Sequence, residues 1–414
     1  MNITGIIAEY NPFHNGHRYH IEKTRSATKC DGIIAVLSGN FVQRGTPSII
    51  DKWTKTNLAL LNGVDLVIEL PVLYSLSSAE FFAFGAVSLL ENLGVVKKLC
   101  FGSECDNIQL LKSIGKILCQ EPDEFKHALK KNLFSGISYP QARSRALIEF
   151  LHNRNDPDFK DYDLKKILSS PNNILAVEYC KSLSKMGSSI VPLCIKRVGS
   201  SYDNLKIQNN FSSASSIRNF IKKKGNFDDL KNNLPSSTFS ILKKLQNSGY
   251  NFTFEDSLVP YLKYKNFFYN KKLKELPDVS EGIENRIFNA IKNNFSYQSI
   301  IEASKTKRYT YSRISRILCQ FFLGFENLDT GILRKNTCPY ARILGFNDTG
   351  KKILREVKKK SHLPIYIKIP QKTSKILRLD ILATNAYSLL NKNAPFNSDY
   401  IKSPIIYNLS LIHI

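Results

Sequence analysis

Two histidines three residues apart, His14 and His17, stand in the segment Glu9-Tyr10-Asn11-Pro12-Phe13-His14-Asn15-Gly16-His17, directly after the apolar run Ile3 to Ala8. In the first turn of a helix that spacing projects both imidazoles from one face. Where a strand turns into a helix, backbone N–H groups and the positive end of the helix dipole also collect, and together they bind phosphate. Two imidazoles placed there can donate hydrogen bonds to a phosphoryl group as negative charge moves onto the leaving oxygen. This is electrostatic stabilisation without covalent chemistry. Gly16, between them, lets the backbone approach a ligand closely. Taken alone, the same pair could instead be capping or core histidines.

Such a turn has to be held by a sheet, and the first 105 residues carry one. Ile3 to Ala8, Gly32 to Leu37, Asp65 to Leu70 and Lys98 to Phe101 are rich in Ile, Val and Leu on both faces, as buried parallel strands are. His17 to Ala27, Lys52 to Leu61 and Ser77 to Leu93 have the lengths of crossover helices. The alternation predicts an α/β fold with a doubly wound parallel sheet. Residues 107 to 185 read as mostly helical, and Ile190 to Lys196 as a fifth strand. Beyond Arg218 the pattern becomes helical and basic, so a boundary is expected near residue 220, with a mainly α-helical basic region over 221–414.

Composition narrows the partners. The 414-residue chain carries 59 Lys and Arg against 35 Asp and Glu, a net charge of +24 that attracts polyanions. Residues 1 to 200 hold 24 basic and 19 acidic side chains, and residues 201 to 414 hold 35 and 16, so the excess lies in the second half. A hydrophobic fraction of 43% argues against disorder. The most apolar stretch, Phe81 to Val96, is broken by Ser88, Glu91 and Asn92, so no membrane span is expected. The N-terminus lacks the pattern of a secretory signal, and a cytoplasmic location is expected. Eight cysteines without a Cys-x-x-Cys pair read as reduced thiols, and no Cys/His cluster has metal-ligand spacing.

The turn resembles the His-x-Gly-His motif of the nucleotidyltransferase superfamily, related to class I aminoacyl-tRNA synthetases. Ser213-Ala214-Ser215-Ser216-Ile217-Arg218 resembles that superfamily's second phosphate motif, departing from it at Ala214. Together with Ser38-Gly39-Asn40-Phe41-Val42-Gln43-Arg44-Gly45, Phe101-Gly102-Ser103-Glu104 and Ser170-Pro171-Asn172-Asn173-Ile174-Leu175, these segments resemble the bacterial tRNA(Met) cytidine acetate ligase family. The likeness is specific from residue 3 to about 220 and looser beyond. It implies a Rossmann-like nucleotidyltransferase catalytic domain over 1–220 and a tRNA-binding region after it. It also implies a ligase that activates acetate with ATP as acetyl-adenylate, and then acetylates the 4-amino group of the wobble cytidine of elongator tRNA(Met). ATP would bring Mg²⁺ with it. Activation fits the chemistry, because an exocyclic cytosine amine has a delocalised lone pair and needs a reactive acyl donor.

Carried over to this chain, the resemblance makes His14 and His17 catalytic. The ATP site would be Ile7, Ala8, Glu9, Asn11, Pro12, Phe13, His14, Asn15, Gly16, His17 and His20, with Gly102, Asn172, Arg197, Ser215 and Arg218. Each of the later residues has a plain alternative: Gly102 a strand-end turn, Asn172 a helix N-cap, Arg197 a solvated strand end, Ser215 and Arg218 a capped helix start with a surface arginine. Arg44, in the loop after the second strand, could bind acetate, RNA phosphate or its own loop. Arg313 and Arg316, three apart, suit a phosphate-tracking stripe or a solvated face, and Phe267, Phe268 and Tyr269 could stack on unpaired bases. Gly345 to Lys352 approaches a P-loop, but Lys352 replaces the Mg²⁺-binding Ser/Thr and no buried strand is evident before it; an RNA-facing turn is expected there. No residue stands out as a general base. The rival functions are a nucleotidyltransferase that adenylylates a small cofactor precursor, and a non-catalytic RNA-binding protein with a nucleotide-binding fold.

Overall fold

The computed structural model describes residues 1–154, 159, 162–198, 207 and 211–408. Its centre is a sheet of strands β1 (Ile3–Ala8), β2 (Gly32–Ser38), β5 (Leu66–Leu70), β6 (Val96–Ser103), β7 (Val191–Lys196), β8 (Ala341–Asn347), β9 (Ile365–Tyr366) and β10 (Ile405–Tyr407). A separate hairpin joins β3 (Phe41–Val42) to β4 (Thr46–Pro47). The order is β10-β8-β5-β2-β1-β6-β7, with β9 beside β8. Strands β5, β2, β1, β6 and β7 are parallel, as the β/α alternation predicts. The chain moves outward in one direction from β1 through β2 and in the other through β6. A crevice therefore opens beyond the carboxyl ends of β1 and β6, the usual ligand position in such sheets. The crossover helices are Asn15–Thr28, Lys52–Leu61 and Ala79–Asn92.

The sheet does not end with the first 220 residues. Strand β8 lies antiparallel against β5 and is buried along most of its length, which corrects the reading that no buried strand precedes Gly345. Its sequence, Ala-Arg-Ile-Leu-Gly-Phe-Asn, contains Arg342, which hides the strand from a hydropathy reading. That arginine is accommodated by donating to the carbonyls of Ile367 at 3.0 Å and Asp399 at 3.2 Å, beside a buried ionic cluster. Lys52 Nζ lies 2.9 Å from Glu69 on β5 and 2.7 Å from Asp399, and Arg342 reaches Asp399 at 4.0 Å. Burial pulls the Lys52 pKa down, but Asp399 and Glu69 outweigh it and hold the ammonium above its ordinary range. Paired charges of this kind tie elements far apart in sequence, and removing one partner leaves the other buried and unpaired.

The Gly345 to Lys352 segment is not a free turn but the end of β8 and the start of the helix Asp348–Lys360. Gly350 packs against the Asp65 backbone, its N–H is bonded to Asn347 Oδ1 at 2.8 Å, and Asn347 Nδ2 donates to Asp65 Oδ1 at 2.9 Å. Because β8 runs opposite to β1, this turn also lies at the other edge of the sheet from the crevice.

Candidate active site

A cleft of about 800 Å³ opens at the carboxyl ends of β1, β6 and β7. At its base is the start of the helix Asn15–Thr28, where the two histidines cap the backbone reciprocally. His14 Nδ1 accepts from Gly16 N at 3.0 Å, and His17 Nδ1 accepts from His14 N at 3.2 Å. The rings stack with centroids 3.7 Å apart. An imidazole whose Nδ1 accepts a backbone N–H carries its proton on Nε2. Burial, with Arg197 and Arg218 adding to it, pushes the His14 pKa down to about 3. Burial and the adjoining His14 hold His17 well below its ordinary value. The turn therefore presents two neutral rings, each with an Nε2–H donor in the lining of the cleft. Capping and ligand recognition, alternatives in the sequence, are one arrangement here. The space above Gly16 is taken by the His14 ring, 2.9 Å from where a side-chain carbon would begin.

The other predicted residues fall into two groups. Ile7, Ala8, Glu9, Asn11, His14, Gly16, His17, His20, Arg44, Gly102, Asn172, Arg197 and Arg218 line the cleft. Pro12, Phe13, Asn15 and Ser215 do not. Phe13 is core, packed on Tyr10 with ring centroids 4.6 Å apart. Asn15 Nδ2 is turned to Asn232 O at 2.8 Å. Ser215 Oγ sits beside Arg218, accepting from Nη2 at 3.1 Å, while Nη1 donates to Asn11 O at 2.7 Å. Arg218 is thereby fixed against the histidine turn rather than left as a surface side chain. Ser213 supplies the cap of its helix, Ala214–Lys222. Asn172 is not an N-cap; that position belongs to Ser170. Its side chain donates to Glu104 Oε1 at 2.5 Å and accepts from Arg197 Nη1 at 3.4 Å, which aligns both groups at the ends of β6 and β7. A carbon added at Gly102 would stand 3.3 Å from Arg197 Cγ, so glycine there leaves the arginine room.

Several contributors carried no motif. Lys55 Nζ donates to the carbonyls of Glu9, Ser38 and Gly39 at 3.0, 2.7 and 2.6 Å, three acceptors for the three donors of an ammonium. It pins the ends of β1 and β2 around the turn, and burial lowers its pKa to about 7. Asn11, a motif residue, accepts at Oδ1 from Ile49 N at 2.9 Å and ties the turn to Ile49, which carried no motif. Arg143 and Glu178 form a buried pair in the same lining. More distant residues also enter: Asp278, Arg308, Arg313, Arg316 and Arg334. Arg316 is 8% exposed, and Arg313 donates to Asp278 O at 2.9 Å, so these two form neither a solvated face nor an open stripe. Phe267, Phe268 and Tyr269 are exposed, on and near the end of the helix Val259–Tyr269.

The arrangement can bind a polyanion at a helix start and stabilise charge on a departing phosphate through fixed neutral donors. Among the described residues no group of three His, Cys, Asp or Glu could hold a metal ion, and no helix is long and apolar enough to cross a membrane. All eight cysteines are free.

The sequence matches the family HIGH Nucleotidyl Transferase over residues 1–400. It is 64% identical over 406 residues to the tRNA(Met) cytidine acetate ligase of Clostridium kluyveri, covering 98% of this chain and 99% of that protein. It is 53% identical over 405 residues to the tRNA(Met) cytidine acetate ligase of Clostridium novyi, covering 98% and 99%. Apo Thermotoga maritima TmcAL superposes with a TM-score of 0.90 at 35% identity, over 99% of this chain and 100% of that one. The same protein bound to alpha-thio ATP superposes at 0.88 with the same identity and coverage.

Proposed function

This chain belongs to the HIGH nucleotidyl transferase family, and on that footing we propose that it is a tRNA(Met) cytidine acetate ligase, activating acetate with ATP and acetylating the 4-amino group of the wobble cytidine of elongator tRNA(Met). The paired Nε2–H donors of His14 and His17 carry the reading. Acetate oxygen attacks the α-phosphorus of ATP, the bond to pyrophosphate breaks, and the charge moving onto the leaving oxygen is met by those two donors. Because both rings are neutral and Nδ1 is committed to the backbone, they act as donors rather than as proton-transferring acids. Arg218 and Arg197, held by Ser215, Asn11 and Asn172, bind phosphate oxygens, with Arg218 toward the β- and γ-phosphates. Mg²⁺ accompanying ATP would be held by the nucleotide rather than by a carboxylate cluster among the described residues of the chain, and would supply charge neutralisation at the phosphates beside Arg197 and Arg218. The cytidine amine then attacks the acetyl carbonyl of acetyl-adenylate, and AMP leaves.

The basic second half supports this over adenylylation of a small cofactor precursor, which needs no polyanion surface. Exchange of labelled pyrophosphate into ATP tests the first step and should depend on acetate. Acetyl transfer to tRNA(Met) tests the second. Exchange that ignores acetate, or transfer that ignores tRNA, would refute the assignment.

A further inference from the structure

One part of the cleft holds more positive charge than the protein neutralises. Arg334 donates to Asp278 Oδ1 at 2.9 Å and lies over the Phe81 ring at 4.2 Å. Arg313 donates to the Asp278 carbonyl from Nε at 3.2 Å and from Nη2 at 2.9 Å, and it covers Tyr309 at 4.0 Å. Near both guanidiniums is Arg316, one turn along from Arg313 on the helix Tyr311–Leu323. Its Nε is buried without a partner, as is that of Arg334. Among the described residues Arg316 makes no side-chain hydrogen bond and no ion pair within 4 Å. Arg44 is a fourth guanidinium close enough to repel it. Asp278 is the carboxylate that attracts Arg316, and Arg334, Arg316 and Arg313 outweigh burial to hold its pKa low.

The backbone has been brought close to place these charges. Gly45, at φ +83°, packs directly on the backbone of Ser315 and Arg316, where a side chain would collide. Tyr297 Oη and Ser315 Oγ both donate to Gly45 O, at 3.1 and 2.8 Å. The loop bearing Arg44 is thus clamped to the helix bearing Arg316. Arg316 is 8% exposed with its Nε buried and unpartnered, and an anion reaching it from the cleft would compensate the charge. Its lining of an open cleft shows where the anion enters.

We infer that Arg316, with Arg44, Arg313 and Arg334 around it, is a receptor for a backbone phosphate of the tRNA substrate. This rests on the ligase reading above. Two other anions could be considered, acetate and the ATP triphosphate. Both must lie within a few ångströms of the α-phosphorus, at the histidine turn. The charges acting on His14 and His17 come from Arg197, Arg218 and neighbouring histidines, with none of these four arginines among them. The receptor is built on other elements than the adenylylation centre, the helix Tyr311–Leu323 and the loop at Gly45 rather than the start of the helix Asn15–Thr28. Arg313, Arg316 and Arg334 also belong to the half of the chain that carries the basic excess.

The test is direct binding of tRNA(Met) to full-length Arg316→Gln protein without ATP, measured as a function of salt, beside acetate-dependent pyrophosphate exchange. tRNA affinity should fall about tenfold or more, and the slope of log K on log salt should flatten by roughly 0.7 to 0.9, one phosphate contact. The KM values for ATP and acetate in the exchange should move less than about twofold. Unchanged tRNA affinity and slope in a folded variant would overturn the inference, as would a raised KM for acetate or ATP with tRNA binding intact. Should Arg316→Gln fail to fold, Arg316→Lys decides, because an ammonium keeps the charge and stem but loses paired donation. Its tRNA affinity should still fall about threefold, and wild-type affinity would refute the receptor. Loss of exchange in the wild-type protein would count against the ligase reading alone, since the binding measurement does not depend on catalysis.

Discussion

At the histidine turn the cleft holds two rings kept neutral by burial and by hydrogen bonds closed within four residues, from His14 to His17. Around Asp278 it holds the guanidiniums of Arg313, Arg316 and Arg334, with Arg44 close enough to repel Arg316, contributed by a loop at residue 44 and by segments between 278 and 334. The first part stabilises charge that appears during a reaction, so its donors must already be in place and uncharged before the ligand arrives. The second part is charged before any ligand arrives, so it can attract a polyanion and is stabilised by binding one. Preorganisation by neutral dipoles is local, whereas accumulated charge has to be imposed by the whole fold.

The most severe way to break that contrast is to cut the chain near residue 220. The motifs remain, but β8 leaves β5 uncovered and Lys52 loses Asp399. The 1–220 fragment is expected to lose cooperative unfolding and ATP binding altogether, as read by a circular-dichroism melt and nucleotide titration. A fragment that melts cooperatively and binds ATP would show the histidine turn to be independent of the second half.

Next in size is the turn itself. Replacing His14 or His17 with Ala should slow acetyl-adenylate formation by roughly 10²-fold or more, the scale of losing one preorganised donor. It should also cost about 1 kcal/mol of stability, because a cap is lost with it. His14→Asn separates the two roles, since Asn caps well but offers no Nε2–H; stability near wild type with the same rate loss is expected. Normal turnover in these variants would remove the histidines from the chemistry.

A smaller effect is expected from Arg218→Ala, which should weaken ATP binding about tenfold and AMP binding less than about threefold, because a charge-assisted contact to β- or γ-phosphate is absent from AMP. Equal weakening of both, measured by calorimetry, would place Arg218 at the α-phosphate or make it only a brace for the turn.

The smallest effect is on acid stability. His14 has a folded pKa of about 3 and His20 about 4, both depressed by burial from an ordinary 6.5. Between these values the unfolded chain binds more protons than the folded one, so stability rises with pH. Their contribution is complete above about 6.5 and is lost progressively as pH falls toward 4 and then 3. In urea titrations His14→Asn should show a shallower loss over that window than the wild type, and identical slopes would mean that His14 is not held neutral.

How much of this was legible follows the range of the contacts. The parallel strands from Ile3 to Phe101 could be read because they are apolar runs largely buried in the sheet, and the fifth, a half-buried edge strand ending at Lys196, because it too is an apolar run. The histidine turn could be read because its hydrogen bonds join residues two and three apart, so residue type and spacing specify the geometry. Asn172 and Arg197 were identified by resemblance, but their mutual bond and their shared partner Glu104 come from β6 and β7 lying side by side. Strand β8 is hidden in the sequence because Arg342 interrupts its apolar pattern, and distant groups, the carbonyls of Ile367 and Asp399 and the Asp399 carboxylate, make that arginine tolerable in a buried sheet. Arg316 looked like half of a surface stripe for the same reason, since the loop at Gly45 that buries it lies 271 positions earlier in the chain. The sequence by itself determined the chemistry that closes within a single turn. The tertiary structure decided which charges are buried together, because their cost and compensation depend on neighbours that only packing supplies.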